Sequence, residues 1–366
     1  MKAAPLTVAD LNRATLARQM LLARDKATAL DAVARLGGLQ AQLAKPPFVG
    51  LWSRLEGFEA SALVALAVKR TVVRGTAMRG TLHLMTAKDY LALRPALVPM
   101  LEATTAAVLG DRLKGLDLAR LAASARRRLD GRPMTFEELR GELAREWPGA
   151  DARAMGYAVR TTLPVVQVPD GGPWGWPGTA RFAAAETWLG RPIPARASAE
   201  PLVLRYLGAF GPAGVKDAEA WSGMRGLGDA FEALRARLAL FRDERGRELF
   251  DLPNAPRPPA STPAPVRFLP DYDSLMLAHA DRRRVVDDAH RPKLATKNLR
   301  VLASFLVDGF IRGTWRVERS RKAVALVLEP FEDVPARARQ ALRAEGAALL
   351  GFAEPDAAAR EVRFAP

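Results

Sequence analysis

The chain has 366 residues, more than one ordinary core needs, and its 49% hydrophobic and 26% charged content places it among globular chains and outside the disordered class. An excess of 55 Lys and Arg over 40 Asp and Glu gives a net charge of +15, which favours a partner of dense negative charge such as nucleic acid, although an Arg-rich coding bias would leave the same excess. The absence of cysteine excludes disulfides, thiolate zinc sites and thiol catalysis, and no apolar run approaches the roughly 18 residues expected of a bilayer span.

The opening Met1-Lys2-Ala3-Ala4-Pro5 lacks the continuous apolar segment of a signal peptide, so a cytoplasmic protein is expected. Three successive stretches then repeat one plan of helices followed by a β-hairpin. In residues 1–110, Leu30, Val33, Ala34 and Gly37 follow helical spacing, as do Leu63, Leu66 and Ala67. Thr71-Val72-Val73-Arg74 and Thr81-Leu82-His83-Leu84-Met85 read as strands around a Gly75 to Gly80 turn, and Ala87 to Leu109 returns to helix.

In residues 111–195, Thr135-Phe136-Glu137-Glu138 is a capping-box signature, and Leu139, Leu143 and Trp147 form an i, i+4, i+8 stripe behind it. A second helix from Asp151 to Thr162 leads into the strand Val165 to Val168 and a turn-rich loop from Asp170 to Gly178. In residues 196–265, Leu202, Tyr206 and Phe210 mark a helix that ends at Gly211-Pro212. A short helix around Asp217 to Trp221 and a longer one through Phe231 and Leu234 follow, then strands flanking Glu244 to Arg247 and a Pro-rich linker. Residues 266–366 are β-rich, with strands expected at Val266–Leu269, Arg284–Val286, Phe305–Val307, Thr314–Glu318 and Ala323–Leu328, a helix from Ala336 to Leu350 and an edge strand at Val362–Phe364. The expected fold is mainly α with β-hairpins (α+β): three tandem winged helix-turn-helix units and a β-rich C-terminal region.

Conventional catalytic groups are sparse. The three histidines, His83, His279 and His290, lack metal-site spacing, and no Walker A, GxGxxG or GxSxG pattern occurs. No metal and no cofactor are therefore expected. Basic clusters stand at Arg126 to Arg128 and at Arg282-Arg283-Arg284, the latter continued by Arg291, Lys293, Lys297 and Arg300. Each reads as a solvated face or, if several share one surface, as a phosphate track. Trp174 and Trp176 could stack on bases or pack back onto their own unit.

Gln40-Ala41-Gln42 follows the Gly37-Gly38 break and precedes Lys45-Pro46-Pro47. Two amides at i and i+2 share a side where the backbone is extended, and could then hold a water between carbonyl acceptors. A pair of surface or loop-capping glutamines is the alternative from composition alone.

Several longer stretches, taken in order, tip this balance. Leu11 to Gln19, Gly38-Leu39-Gln40-Ala41-Gln42, Met78 to Leu84, Leu204 to Pro212, Phe268 to Asp273, His279 to Arg282 and Val307 to Phe310 resemble successive signatures of the winged-helix family that contains the AlkZ-type and YcaQ-type DNA glycosylases. The resemblance runs from about residue 11 to residue 364. It implies a C-shaped arrangement of three winged helices around duplex DNA and excision of N7-alkylated purines, including those in interstrand crosslinks. The AlkZ-type signature, Gln-aliphatic-Gln, is met at Gln40 and Gln42, whereas YcaQ-type members carry Asp at the second polar position. Gln40 and Gln42 are thus the expected catalytic residues of a monofunctional glycosylase, and Lys45, Arg79, His83, Arg282, Arg283 and Arg284 the expected DNA contacts. The expected partner is double-stranded DNA carrying alkylated bases, bound by a monomer associated with the nucleoid. A non-catalytic winged-helix DNA-binding protein is the rival reading.

Overall fold

A computed structural model describes residues 4–298, 300–321 and 323–365. It is a mixed α and β fold in which strands from the first two expected units share one sheet. Strands β1 (Leu39–Gln40), β2 (Val72–Thr76), β3 (Leu82–Thr86), β4 (Met134–Thr135), β5 (Val165–Gln167) and β6 (Arg181–Ala184) lie in the order β1-β3-β2-β5-β6-β4. All neighbouring pairs are antiparallel. Strands β7 (Ala239–Arg242) and β8 (Glu248–Asp251) form a separate hairpin about the turn expected at Glu244 to Arg247. The C-terminal sheet runs β13-β12-β11-β10-β9, from β9 (Arg267–Leu269), β10 (Ser304–Val307), β11 (Phe310–Arg319), β12 (Val324–Pro330) and β13 (Arg360–Phe364). Its edge strand β13 is parallel to β12 and is reached through the helix Ala336–Ala353.

Local sequence explains most of the helices. The helix Phe136–Glu146 starts at the predicted capping box, where Thr135 Oγ1 accepts from the Glu138 amide and the Glu138 carboxylate accepts from the Thr135 amide. Leu139 and Leu143 are buried against Met155 and Val159 of the helix Ala152–Thr162 in one apolar cluster. Val73, Met78, Met85 and Tyr90 pack with Tyr206, Phe210, Trp221 and Phe231 in a second cluster, so the first sheet is seated on the helices of the third stretch. Burial of this kind contributes roughly 1.5–3 kcal/mol per large apolar side chain.

The first helix, Val8–Arg18, is buried through most of its length and ties distant parts together. Asn12 Nδ2 donates to the carbonyls of Arg284 (2.7 Å) and Gly309 (2.8 Å), Gln19 Nε2 to that of Ala209 (2.9 Å), and Arg18 pairs with Asp251.

Two expectations are corrected, and one open alternative is decided. Val285 and Val286 are not in a strand: both amides donate to the Arg282 carbonyl in a turn, and the two side chains are buried with Leu16, Leu21 and Leu306. Their apolar run is explained by burial rather than by sheet pairing. The run Ala87–Leu109 is, by length and hydropathy, apolar enough to cross a membrane. It is broken by a 3₁₀ turn at Arg94–Leu97, where buried Arg94 donates to the Thr161 carbonyl at 2.7 Å, and it lines the core of this fold. Trp174 and Trp176 do not stand free: Trp176 is buried, and Trp174 meets Phe48 edge-on at 5.2 Å.

Candidate functional site

The helix Ala29–Arg35 ends at Gly37 and Gly38, both left-handed with φ of +67° and +89°, which turn the chain directly into β1. A Cβ on Gly38 would lie 2.9 Å from Met85 Cγ and 3.1 Å from the Leu84 carbonyl, so the turn requires glycine on both counts. Strand β1 then pairs with β3 at the sheet edge, Leu39 opposite Leu84 and Gln40 opposite His83, and the Ala41 amide continues the ladder to the Leu82 carbonyl (2.7 Å). Gln40 is buried, Ala41 fully so, and Gln42 is exposed.

Two arginines hold this segment from below. Arg74, on β2, donates from Nε to the Ala41 carbonyl (2.8 Å) and from Nη2 to the Gln42 carbonyl (3.1 Å), fixing the backbone between the two glutamines. Arg79, in the turn Met78–Gly80 between β2 and β3, donates from Nη2 to Gln40 Oε1 (2.7 Å) and from Nη1 to the Trp221 carbonyl. Among the described residues neither arginine has a carboxylate within ion-pair distance. Burial lowers Arg74 to about 10, and burial together with the nearby charge of Arg282 lowers Arg79 to about 10, so both stay protonated at neutral pH.

His83 completes the floor. Burial, and then the charge of Arg79, depress its pKa to about 3, so the ring is neutral at physiological pH. Its Nδ1 lies 3.1 Å from the Thr81 carbonyl, which assigns the proton to Nδ1 and leaves the Nε2 lone pair facing Arg79 Nη2 at 3.5 Å. The cluster can therefore orient amides and donate hydrogen bonds, and it contains no carboxyl group for acid or base work. Among the described residues no three His, Cys, Asp or Glu side chains gather as metal ligands.

The remaining predicted residues are dispersed. Lys45 is bonded to Glu354 (2.6 Å) and to the Ala353 carbonyl (2.7 Å), with its ammonium 4.8 Å from the Trp174 ring centre. Arg282 is half-buried, its Nε unpartnered among the described residues, and its charge reaches Arg79. Arg283 forms a two-point pair with Asp281 (3.0 and 2.6 Å). Arg284 is buried and donates to the Pro212 carbonyl (2.9 Å), which gives it a structural post and no open face. Gln40, Arg79, His83 and Arg282 are thus brought together, whereas Lys45, Arg283 and Arg284 are engaged elsewhere. Arg74, which holds the backbone at Ala41 and Gln42, is not among the residues expected from the sequence. Its only signal is a charged residue closing the apolar strand run Thr71-Val72-Val73.

A cavity of about 500 Å³ adjoins the segment just beyond Gln42, lined by Leu43, Lys45, Trp315, Arg300, Arg316 and Arg319. A second, of about 680 Å³, lies at the other end of β2 and β3, between Thr71, Thr86 and Trp188. The first carries cationic and aromatic groups and includes Leu43, the residue after Gln42, in its lining.

A family model described as DNA glycosylase AlkZ-like matches residues 33–352. The chain is 24% identical over 368 aligned positions to the interstrand DNA cross-link repair glycosylase of Streptomyces sahachiroi, covering 90% of this chain and 92% of that protein. The solved structure of Streptomyces sahachiroi DNA glycosylase AlkZ superposes with a TM-score of 0.80 over the full length of both chains, at 21% identity, which establishes the likeness of fold.

Proposed function

The chain belongs to the AlkZ-like DNA glycosylase family, and from that premise we propose that it hydrolyses the N-glycosidic bond of N7-alkylated purines in duplex DNA, including purines tied into interstrand crosslinks. Family membership favours an enzyme over a non-catalytic winged-helix binder. Crosslink repair is named for the Streptomyces sahachiroi relative and is extended here as a proposal. The observation that carries the reading is the arginine-held Gln40-Ala41-Gln42 edge, which has amides to place a water and no acid to protonate a leaving group.

That combination suits one class of substrate. An N7-alkylpurine already carries positive charge, so it departs without a general acid. Catalysis then consists of placing water at C1′ and stabilising charge as the sugar approaches an oxocarbenium ion. No lysine nucleophile is required, and a monofunctional reaction follows. A crosslinked base cannot be swung fully into a deep pocket. A broad opening beside Gln42, with Arg300, Arg316 and Arg319 at its rim, suits such a substrate.

We take the DNA to be gripped by three winged-helix units, residues 1–110, 111–195 and 196–265, in a C-shaped clamp completed by residues 266–366. The protein would act as a cytoplasmic monomer on nucleoid DNA, and its net charge of +15 supports a steeply salt-dependent grip. Single-turnover incubation with a duplex containing N7-methylguanine tests the reading by counting abasic sites. Gln40→Ala and Gln42→Ala are each expected to slow release roughly 100-fold or more while duplex affinity holds. Absence of base release by the wild-type protein, with tight binding retained, would overturn the substrate assignment.

A further inference from the structure

Arg79 stands out among the residues around the glutamines. Its backbone is left-handed (φ 55°, ψ 17°), a conformation seldom taken by a residue with a side chain. Gly223 closes against it, and a Cβ there would lie 2.9 Å from Arg79 Cα. The guanidinium is desolvated and has no carboxylate partner among the described residues. One nitrogen caps the Trp221 carbonyl at the C-terminal end of the helix Val215–Ser222, where the last carbonyls lack intrahelical partners and the dipole favours a cation. The other reaches Gln40 Oε1 at 2.7 Å. A left-handed backbone and an uncompensated buried charge are thus committed to one helix-end carbonyl and one side-chain amide, that of Gln40.

We propose that Arg79 is a positioning residue that fixes which end of the Gln40 amide meets the DNA, and thereby divides the work of the two glutamines. Guanidinium is donor-only, so the amide atom facing it must be the carbonyl oxygen. The Gln40 NH2 is turned away from Arg79 and serves as a donor. His83, neutral and with its Nε2 lone pair also facing Arg79, reinforces this polarity by accepting from the same guanidinium nitrogen. Gln42 is exposed, and among the described residues no hydrogen bond holds its side chain. Its carbonyl is the free acceptor.

The division rests on the glycosylase reading above and gives it an asymmetric form. The Gln40 NH2 donates to one lone pair of the hydrolytic water, and the Gln42 carbonyl accepts one of its protons. The second lone pair forms the O–C1′ bond as the C1′–N bond breaks. The electron pair of the C1′–N bond leaves with the base and neutralises it, and the surplus water proton passes to solvent. Exchanging the two glutamines' functional ends would leave the water misoriented.

The experiment pairs kinetics with a probe of the free protein. Single-turnover release from an N7-methylguanine duplex is measured for wild type, Gln40→Glu, Gln42→Glu, Arg79→Met and Arg79→Lys, with duplex Kd measured in parallel. Gln40→Glu removes the donor and should fall roughly 100-fold, whereas Gln42→Glu keeps an acceptor and should fall by no more than about tenfold. Arg79→Met should lose roughly 10–100-fold in rate at unchanged Kd, with partial recovery in Arg79→Lys. In parallel, ¹⁵N-glutamine spectra should show the Gln40 side-chain NH2 at a distinct, ordered position that collapses toward the free-amide position in Arg79→Met and is retained in Arg79→Lys. An unmoved Gln40 signal in Arg79→Met, or a Gln40→Glu rate equal to wild type, overturns the inference. Loss of the Gln40 signal in Arg79→Met without any base release by wild type would sink the substrate reading and leave the positioning role standing.

Discussion

Buried arginines occur in two settings in this fold. Arg18 and Arg54 each meet a buried carboxylate in two parallel bonds, Asp251 at 2.6 and 2.8 Å and Asp273 at 2.9 and 2.9 Å. These pairs join the N-terminal segments to the third and fourth stretches of the chain. Arg74 and Arg79, beneath Gln40-Ala41-Gln42, meet neutral partners, chiefly carbonyl oxygens, and are lowered to about 10, mainly by burial. A paired charge buried with its counter-ion is a scaffold device, costly mainly when one partner is lost. A buried cation answered only by amide dipoles retains its positive field and holds its acceptors rigidly. Arg94 and Arg284 are also buried on carbonyl partners, so it is the identity of the acceptors, Gln40 Oε1 and the carbonyls of Ala41 and Gln42, that ties Arg74 and Arg79 to the glutamine edge.

The largest expected effect breaks the scaffold side of that contrast. Asp251→Ala would leave Arg18, and also Arg257 at 2.5 Å, without their counter-charge. A loss of about 3–5 kcal/mol in urea unfolding is expected. Arg74→Met removes a charge that has no counter-ion and orphans two carbonyls, for a smaller loss of about 1–3 kcal/mol. Its larger consequence should be slow base release at intact duplex affinity. Equal destabilisation by the two variants would erase the distinction between scaffold and site.

Little of that distinction is written in the local sequence. Gln40-Ala41-Gln42 is legible because the family resemblance is carried by contiguous residues. Arg74 and Arg79 reach the glutamine segment across 32 to 39 positions and Arg79 reaches Trp221 across 142, and the acceptors are mostly backbone carbonyls, which have no sequence signature. Arg282-Arg283-Arg284 reads as one basic patch, yet the turn sends the three side chains to different fates: half-buried near Arg79, paired with Asp281, and buried against the Pro212 carbonyl. Helices fare better where capping and periodicity agree, as at Thr135 and Glu138, because those signals act within a single turn. Val285-Val286 misleads because burial in a turn and burial in a strand select the same apolar residues.

His83 in the site and His279 in the scaffold are both buried, and acid probes both. His83 sits beside Arg79, and His279 beside Arg284 with its Nε2 on the Phe210 carbonyl (3.0 Å). Burial followed by the neighbouring arginine depresses each to about 3, below the ordinary 6.5. Between those values the unfolded chain binds protons that the folded chain refuses. Stability is therefore full above pH 6.5 and falls as pH drops toward 3, by at most about 1.4 kcal/mol per pH unit for each histidine. Urea midpoints measured from pH 7 to pH 5 should decline, and His83→Gln should remove about half of the histidine-dependent slope. A decline unchanged by His83→Gln would place the acid sensitivity in the scaffold region alone.

The smallest expected effect tests whether the two regions meet at Gly223. This residue ends the helix Val215–Ser222 with φ +81°, and its missing side chain makes room for Arg79. Gly223→Ala asks a left-handed position to carry a Cβ and drives that Cβ to within 2.9 Å of Arg79 Cα, so a stability loss of about 1–2 kcal/mol is expected. If the strain is transmitted through Arg79 to Gln40, base release should slow severalfold in the single variant and show no additional slowing when Gly223→Ala is combined with Arg79→Met. Independent effects would multiply instead, because residues without a shared partner contribute additively in free energy. A multiplicative result would confine Gly223 to the helix end and separate its strain from the Arg79–Gln40 contact.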